Sequence, residues 1–486
     1  MLLANDANWS LMTPEIVLAA LALIIFTIDF MTDIKGKKPF LGRLSIISLL
    51  ITAVLVLFTN NDGGTIGHVF VVDSFSMVFK LIILVGVALV IGISMYYLDK
   101  HEDIYQGEYY SLMLFATLGA MLMVSSADLI VLFVGLEILS ISSYCLAAFK
   151  KYNRKSTEAG IKYVVLGGTA SAFILYGMSF LYGLTGTTSI VEIREAIPTL
   201  WVDYTWVIAM SFLFMLAGFG FKISAVPFHM WAPDVYEGSP TPVTAFLSVV
   251  SKLAGFAIVL RLFFVTFENI YVEWAFTFAV IAALTMVIGN FIALTQKNVK
   301  RLMAYSGIAQ AGYLLVPIAA VVTEADTFTM IAFYGMAYVL MTLGAFAIII
   351  LVTEDSGKED MSSFKGLWER SPYMAVAMSV FLISLAGLPL TLGFWGKAYI
   401  FFGAVAAGMT WLAVVMIVTS VVSFFYYFGI IRQMFMREPE PTDQEIKVPV
   451  YLSVVVTICL AVTVALAFIP SIVMDWLQGL TWMGMF

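Results

Sequence analysis

The chain has 486 residues, 62% of them hydrophobic and only 12% charged, with a net charge of −7 and a mean hydropathy of +0.99. Soluble domains carry about 25% charge, so a soluble globular class is excluded, and the sparse basic residues exclude a nucleic-acid surface. Cys145 and Cys459 lie in apolar stretches without ligand spacing, which leaves no thiolate cluster for zinc, haem attachment or iron–sulfur binding.

A bilayer-spanning helix needs about 20 largely apolar residues, and some fourteen stretches qualify. Residues 1–13 have no basic n-region, so a cleaved signal peptide is not expected and the first span is expected to be retained. Helices are predicted near 14–33, 40–59, 73–98, 109–125, 128–149, 157–184 and 204–226, then near 240–264, 274–295, 300–322, 327–352, 372–408, 411–436 and 449–469. As one helix, 372–408 would run about 55 Å, against a hydrocarbon core of about 30 Å. It is expected to break at Pro389, among Gly387, Gly393 and Gly396. A matching break is predicted after the seventh helix, where Gly218, Gly220 and Pro227 precede a loop, WAPDVYEGSPTP.

Outside the spans, lysine and arginine crowd into the odd-numbered connections, from Lys35, Lys37, Lys38 and Arg43 in the first to Arg432, Arg437 and Lys447 in the thirteenth; even-numbered connections hold only Arg194 and the flanking Arg261. By the positive-inside rule the odd connections face the cytoplasm and both termini lie outside. Four basic residues remain inside spans: Lys80, Lys222, Lys252 and Lys397. A buried ammonium is costly unless it meets water, a carboxylate or a role. Lys80, early in its helix, is expected to snorkel to an interface, whereas Lys252 has no such exit. Lys222, in GFGFKISAVP, and Lys397, in GLPLTLGFWGK, each sit beside a helix break, where carbonyls are exposed and water enters. Glu137, in VLFVGLEILSISSYCL, is the carboxylate of the fifth helix and is expected to partner a lysine. Asp29 reads as a solvated helix end. His229, in PFHMW, is either a proton-passing group or a hydrogen-bonded loop histidine; His68 and His101 fall in connections.

Two runs of five helices, each with its fourth member interrupted beside a lysine, fit an internal duplication. Because five is odd, the copies enter the membrane from opposite sides, an arrangement that transporters use to build ion sites at broken helices. The chain then divides into helices 1–3 (1–107), a first repeat (108–265), a second repeat (266–437), and a last helix with an amphipathic segment (438–486). Lysine lining argues for protons: an ammonium repels Na⁺ or K⁺, but a desolvated lysine can lose and regain a proton. A carboxylate about 6 Å away, at an effective dielectric of about 20, stabilises Lys⁺ by about 2.8 kcal/mol, enough to gate it as the distance changes.

The segments PFHMWAPDVYEGSPTPVTAFLS, KNVKRLMAYSGIAQAGYLL and LAGLPLTLGFWGKAYIF resemble the antiporter-like subunits of proton-pumping NADH:quinone oxidoreductase, respiratory complex I, most closely the subunit N group. The resemblance covers essentially the whole chain. It implies an all-α polytopic membrane protein of fourteen helices with two inverted five-helix repeats. It also implies a proton half-channel in each repeat, Glu137 and Lys222 as an ion pair that opens and closes, and Lys252 and Lys397 as relays. FMN and iron–sulfur clusters are expected in partner subunits and no cofactor in this chain. The partners implied are other membrane-arm subunits, including neighbouring antiporter-like ones. The short C-terminal stretch MDWLQGLTWMGMF lacks the long lateral helix of the distal family member, and the helix count exceeds that of the shortened animal version, which points to a bacterial inner membrane. The eleventh helix, IAFYGMAYVLMTLGAF, has no histidine or lysine, so Tyr334, Tyr338 and water are expected to bridge there. The alternatives are an Mrp-type Na⁺/H⁺ antiporter subunit, for which Glu137 alone is a poor cation cage, and a non-transporting membrane scaffold.

Overall fold

The computed structural model describes residues 8–32, 38–101, 106–321, 323–439, 444–480 and 482. Three helices come first: α1 (Thr13–Met31), α2 (Pro39–Asp62) and, after a small hairpin of β1 (Gly64–Ile66) and β2 (Phe70–Val72), α3 (Ser74–Lys100). Prolines open α1 and α2, where a missing N–H costs nothing. Asp73 and Ser76 close a reciprocal capping box at the start of α3.

The next five-helix run comprises α4 (Gln106–Val124), α5 (Leu129–Ala147), α6 (Arg154–Thr185), α7 (Ile190–Ile223), the short α8 (Trp231–Gly238) and α9 (Thr241–Phe246), which continues through a π turn at Leu247–Ser251 into α10 (Lys252–Thr266). The second run comprises α11 (Tyr271–Ala293), α12 (Val299–Ala319), α13 (Glu324–Ser356), the single turn α14 (Leu367–Arg370), the paired halves α15 (Pro372–Ala386) and α16 (Leu392–Ala406), and α17 (Thr410–Met436). The chain closes with α18 (Val450–Phe468) and an amphipathic α19 (Pro470–Gln478). Among the described residues, 13 helices are long and apolar enough to cross a membrane, and α15 with α16 supplies one more crossing in two pieces. The protein is an all-α polytopic membrane protein.

The two runs share a distinctive joint. In the first, Asp128 caps α5 by accepting from the N–H groups of Ile130 and Val131, and its backbone bridges Ser189 before α7. In the second, Asn298 caps α12 by accepting from Lys300 and Arg301, and its backbone bridges Asp360 before the α14–α16 segment. Each bridge is made by paired backbone bonds, Leu129 N–H to Thr188 O and Ile190 N–H to Ala127 O in one, Val299 N–H to Glu359 O and Met361 N–H to Lys297 O in the other. The loops after the first and third helices of each run are thus stitched alike.

Helices α3, α10, α12 and α13 form the interior. Every residue of α10 is buried, as expected of a helix apolar all round, while α1, α2, α6, α11, α17 and α18 turn large apolar side chains outward.

Several expectations change. The loop predicted from Trp231 contains a helix, α8, because Pro233 falls in its first turn, where no N–H is needed. The seventh helix starts earlier than predicted, at Ile190, with a kink at Tyr204. Lys80 does not snorkel: its Nζ lies 2.6 Å from Glu15 Oε1 of α1 and both are buried. Arg261 belongs to α10 rather than a connection and pairs at 2.9 Å with Asp73, its side chain fully buried. Asp29 pairs with Lys38 at 2.7 Å and is only partly exposed.

Candidate functional site

Both breaks leave carbonyls without helical partners, and in both a lysine stands beside them. Helix α7 ends at Ile223 because Ser224 adopts a left-handed conformation. The indole of Trp231 then donates to the Phe221 carbonyl at 2.8 Å, and the Val226 N–H donates to Thr285 Oγ1 at 3.0 Å, so the free ends are tied to α8 and α11. Lys222, one residue from this end, points the other way and donates to Ser140 Oγ on α5 at 3.1 Å. Glu137, three positions before Ser140, sits half-buried in an apolar lateral groove lined by Phe115, Leu118 and Phe133, and accepts from the Ser171 hydroxyl. The two charges expected to pair are therefore each held by a serine.

Lys252 follows the π turn directly. The wide turn puts its Nζ 2.6 Å from the Gly307 carbonyl of α12, and Tyr338 of α13 donates to the Ser248 carbonyl inside that turn at 3.1 Å. Behind it, Gly255 of α10 packs on the Lys222 stem: a Cβ there would lie 3.2 Å from Lys222 Cγ. Lys222 and Lys252 thus flank one helix contact.

From Gly307 a buried polar chain runs through the second repeat. Ser306 and Tyr427 of α17 share a short hydroxyl contact. The Gln310 amide donates to Tyr427 Oη at 3.4 Å and to the Leu385 carbonyl at 3.2 Å, and its oxygen accepts from Tyr334. Leu385 and Ala386 end α15, because Gly387 turns the chain with a φ of +86°. Their carbonyls each accept from Lys397 Nζ at 3.0 Å, Ser420 accepts at 3.0 Å, and the Tyr313 ring lies 4.5 Å beneath the ammonium. Tyr313 is held in turn by Asn290 at 3.2 Å. Carbonyls fix these two ammonium groups, and between them lie the Gln310 amide and the hydroxyls of Ser306, Tyr427 and Tyr334, which can each donate and accept.

His229 lies in the break beside Lys222, and its Nδ1 is buried without a partner among the described residues. Burial lowers its pKa, only partly offset by the Pro227 backbone. Tyr334 donates to Gln310 on this polar chain, whereas Tyr338 donates to the Ser248 carbonyl in the turn before Lys252. Ser140, Ser306, Gln310, Asn290 and Tyr427 went unread in the sequence; a mid-span amide such as Gln310, inside the KNVKRLMAYSGIAQAGYLL motif, was the available signal.

The two stitched joints also align the repeats position by position. Glu137 is the ninth residue after Asp128, and Gly307 is the ninth after Asn298; Ser140 corresponds likewise to Gln310. The second repeat thus puts a glycine carbonyl where the first puts a carboxylate.

A profile of the family described as NADH:quinone oxidoreductase/Mrp antiporter, TM, matches residues 126–423, which span both broken helices. The chain belongs to this family. Subunit N of NADH-quinone oxidoreductase from Brevibacillus brevis is 45% identical over 97% of this chain and 95% of its own length. That from Bacillus anthracis is 44% identical over 96% and 94%. Among solved structures, a chain of respiratory complex I from Thermus thermophilus superposes with a TM-score of 0.80 at 32% identity, covering 95% of this chain and 99% of its own. A chain of the Mrp complex from Dietzia superposes at 0.84 with 20% identity, over 96% and 97%, a likeness of fold.

Proposed function

We propose that this chain is a proton-translocating membrane subunit of an NADH:quinone oxidoreductase, moving protons outward through Glu137, Lys222, Lys252 and Lys397 while quinone reduction in other subunits supplies the energy. The observation that carries the reading is the buried polar set between Lys252, on the Gly307 carbonyl, and Lys397, on the Leu385 carbonyl, with Ser306, Tyr427 and Gln310 lying between them. Its ammonium groups rest on carbonyls and hydroxyls, so each can give up its proton without leaving a buried carboxylate unpaired.

In this mechanism Glu137 sets the charge state of Lys222 from across Ser140, and rotation of either side chain off its serine closes the pair. Lys222 passes its proton to Lys252 along the Gly255 contact, with water completing the gaps between polar groups. Water held by the Ser306, Tyr427 and Tyr334 hydroxyls, which Gln310 orients, carries it to Lys397, whose break opens towards the outer face. The repeats divide at 108–265 and 266–437. The connections rich in lysine face the cytoplasm of a bacterial inner membrane, both termini face outward, and the partners are neighbouring membrane-arm subunits. FMN and iron–sulfur clusters belong to partner subunits.

The test is proton pumping by the assembled complex in vesicles with Lys222→Ala or Lys397→Ala. A pump subunit loses most of its proton uptake at unchanged assembly; full pumping by both variants would mean a scaffold.

A further inference from the structure

Away from the proton path, on the face where the odd-numbered connections gather, three cations and three carboxylates ring a cavity of about 210 Å³. Arg301 Nη1 donates to Asp234 Oδ1 at 2.7 Å and to Glu237 Oε2 at 3.1 Å. Lys162 bridges Asp234 at 2.7 Å and Glu158 at 2.8 Å, and Lys155 meets Glu237 at 3.0 Å. Beside them Lys300 donates to the Ser239 carbonyl at 3.0 Å and pairs with Glu359 at 2.7 Å.

Two uses of such a cluster are open to chemistry: collecting protons or fixing geometry. Burial alone would raise the pKa of Asp234 and Glu237, but hydrogen bonds from Lys162, Lys155 and Arg301 outweigh it and hold both below the ordinary carboxylate range. Carboxylates that stay ionised near neutral pH do not hold protons for delivery. Geometry remains. Asp234 and Glu237 lie on α8, in the connection that joins Lys222 to Lys252. Arg301 opens α12, and six residues further along the same helix is Gly307, whose carbonyl receives Lys252. The first repeat therefore grips α12 at two points, by charges at its end and by Lys252 at its middle. Two attachments on one rigid helix fix its height and tilt, and so the spacing at the seam between repeats.

We propose that Arg301, gripping Asp234 and Glu237, is a positioning residue for proton transfer: the cluster is an electrostatic latch that sets how Lys252 meets the second repeat. The inference rests on the proton-path reading above. Its groups are partly exposed, with side-chain exposures of 29% for Arg301 and 39% for Asp234, so salt weakens it, since charges are screened over about 10 Å at about 0.1 M.

The experiment measures protons pumped per electron pair by the intact complex in vesicles, for wild type, Arg301→Gln, Arg301→Lys and Glu237→Gln, in a salt series. The latch predicts a several-fold lower ratio in Arg301→Gln, recovery in Arg301→Lys, and a wild-type ratio that falls with salt while that of Arg301→Gln stays flat. Wild-type ratios in both neutral variants, with no salt dependence, overturn it. Should Arg301→Gln prevent assembly, Glu237→Gln and the wild-type salt series decide alone. Lys252→Ala in the same assay separates the two readings: if it pumps normally, the proton path itself is wrong, whatever the latch does.

Discussion

At the scale of single residues, a buried lysine can act as a proton carrier or as a fixed positive charge, and Lys252 is the place to tell them apart. Its Nζ is 2.6 Å from the Gly307 carbonyl and its side chain is 1% exposed. Arginine keeps a positive charge there but does not release its proton in proteins. Lys252→Arg is therefore expected to pump no better than Lys252→Ala, both at least about tenfold below wild type, equivalent to about 1.4 kcal/mol on the barrier. Restored pumping with arginine would demote Lys252 to a fixed charge. The four charges were legible because a charge in a 20-residue apolar run stands out by cost alone. Their partners were not: Ser140, Ser306 and Tyr427 are ordinary residues of a membrane helix, and only tertiary packing brings them together. Glu137 and Lys222, the pair that the resemblance implied, each also bond a serine, Ser171 and Ser140.

At the scale of elements, both breaks were legible from nearby proline and glycine; Gly387 turns the second on its own backbone, whereas the first comes at Ser224, with Gly218 and Gly220 still inside α7. The break at Gly387 works only because α16 can fold close against α15. A Cβ at Gly393 would lie 1.9 Å from the Ser384 carbonyl and 3.0 Å from Met341 Sδ. Gly393→Ala should force the halves apart, costing about 1–3 kcal/mol as overpacking does, and should lower pumping through Lys397. Gly168→Ala, on an open face of α6, should leave the melting temperature unchanged or slightly higher, as alanine is the better helix former. Helix α8 was misread because its proline and glycine look like loop chemistry, and the π turn before Lys252 has no sequence mark at all. Docking of α8 also carries a pH dependence. With their pKa values depressed in the folded state, Asp234 and Glu237 contribute stability that is present above about pH 4, near the unfolded carboxylate value, and is lost as the pH falls through the folded values. The facing charges, Lys155, Glu158, Lys162 and Arg301, are the groups through which that loss acts. Amide protection of 231–238, relative to the intrinsic exchange rate at each pH, should fall below about pH 4 before that of the spans, and protection of α8 that is unchanged from about pH 7 to about pH 3 would contradict the assignment.

At the scale of the whole molecule, the positive-inside pattern gave the helix count and the repeats their phase, yet it missed how the first three helices attach. Arg261 looked like a connection residue because it lies near the end of its span, and Lys80 like a snorkelling one for the same reason. Their partners, Asp73 and Glu15, are distant in sequence. Together they bind α1 to α3 and α3 to α10, with the Arg261 guanidinium also 4.7 Å over the Phe75 ring. Buried pairs of this kind add little over apolar packing, because desolvation offsets their attraction, but removing one partner strands a charge and costs about 3–5 kcal/mol. Glu15→Gln should accordingly lower the melting temperature of the detergent-solubilised complex far more than the double change Glu15→Met with Lys80→Met, in which no charge is left in the bundle. Both side chains are at most 4% exposed, so neither has water to fall back on. Pumping should survive in the double variant, since neither residue lies on the path from Glu137 to Lys397. Equal destabilisation by the single and double variants would mean that Lys80 finds another partner or water when Glu15 is neutralised, and that packing alone fastens α1 to the bundle.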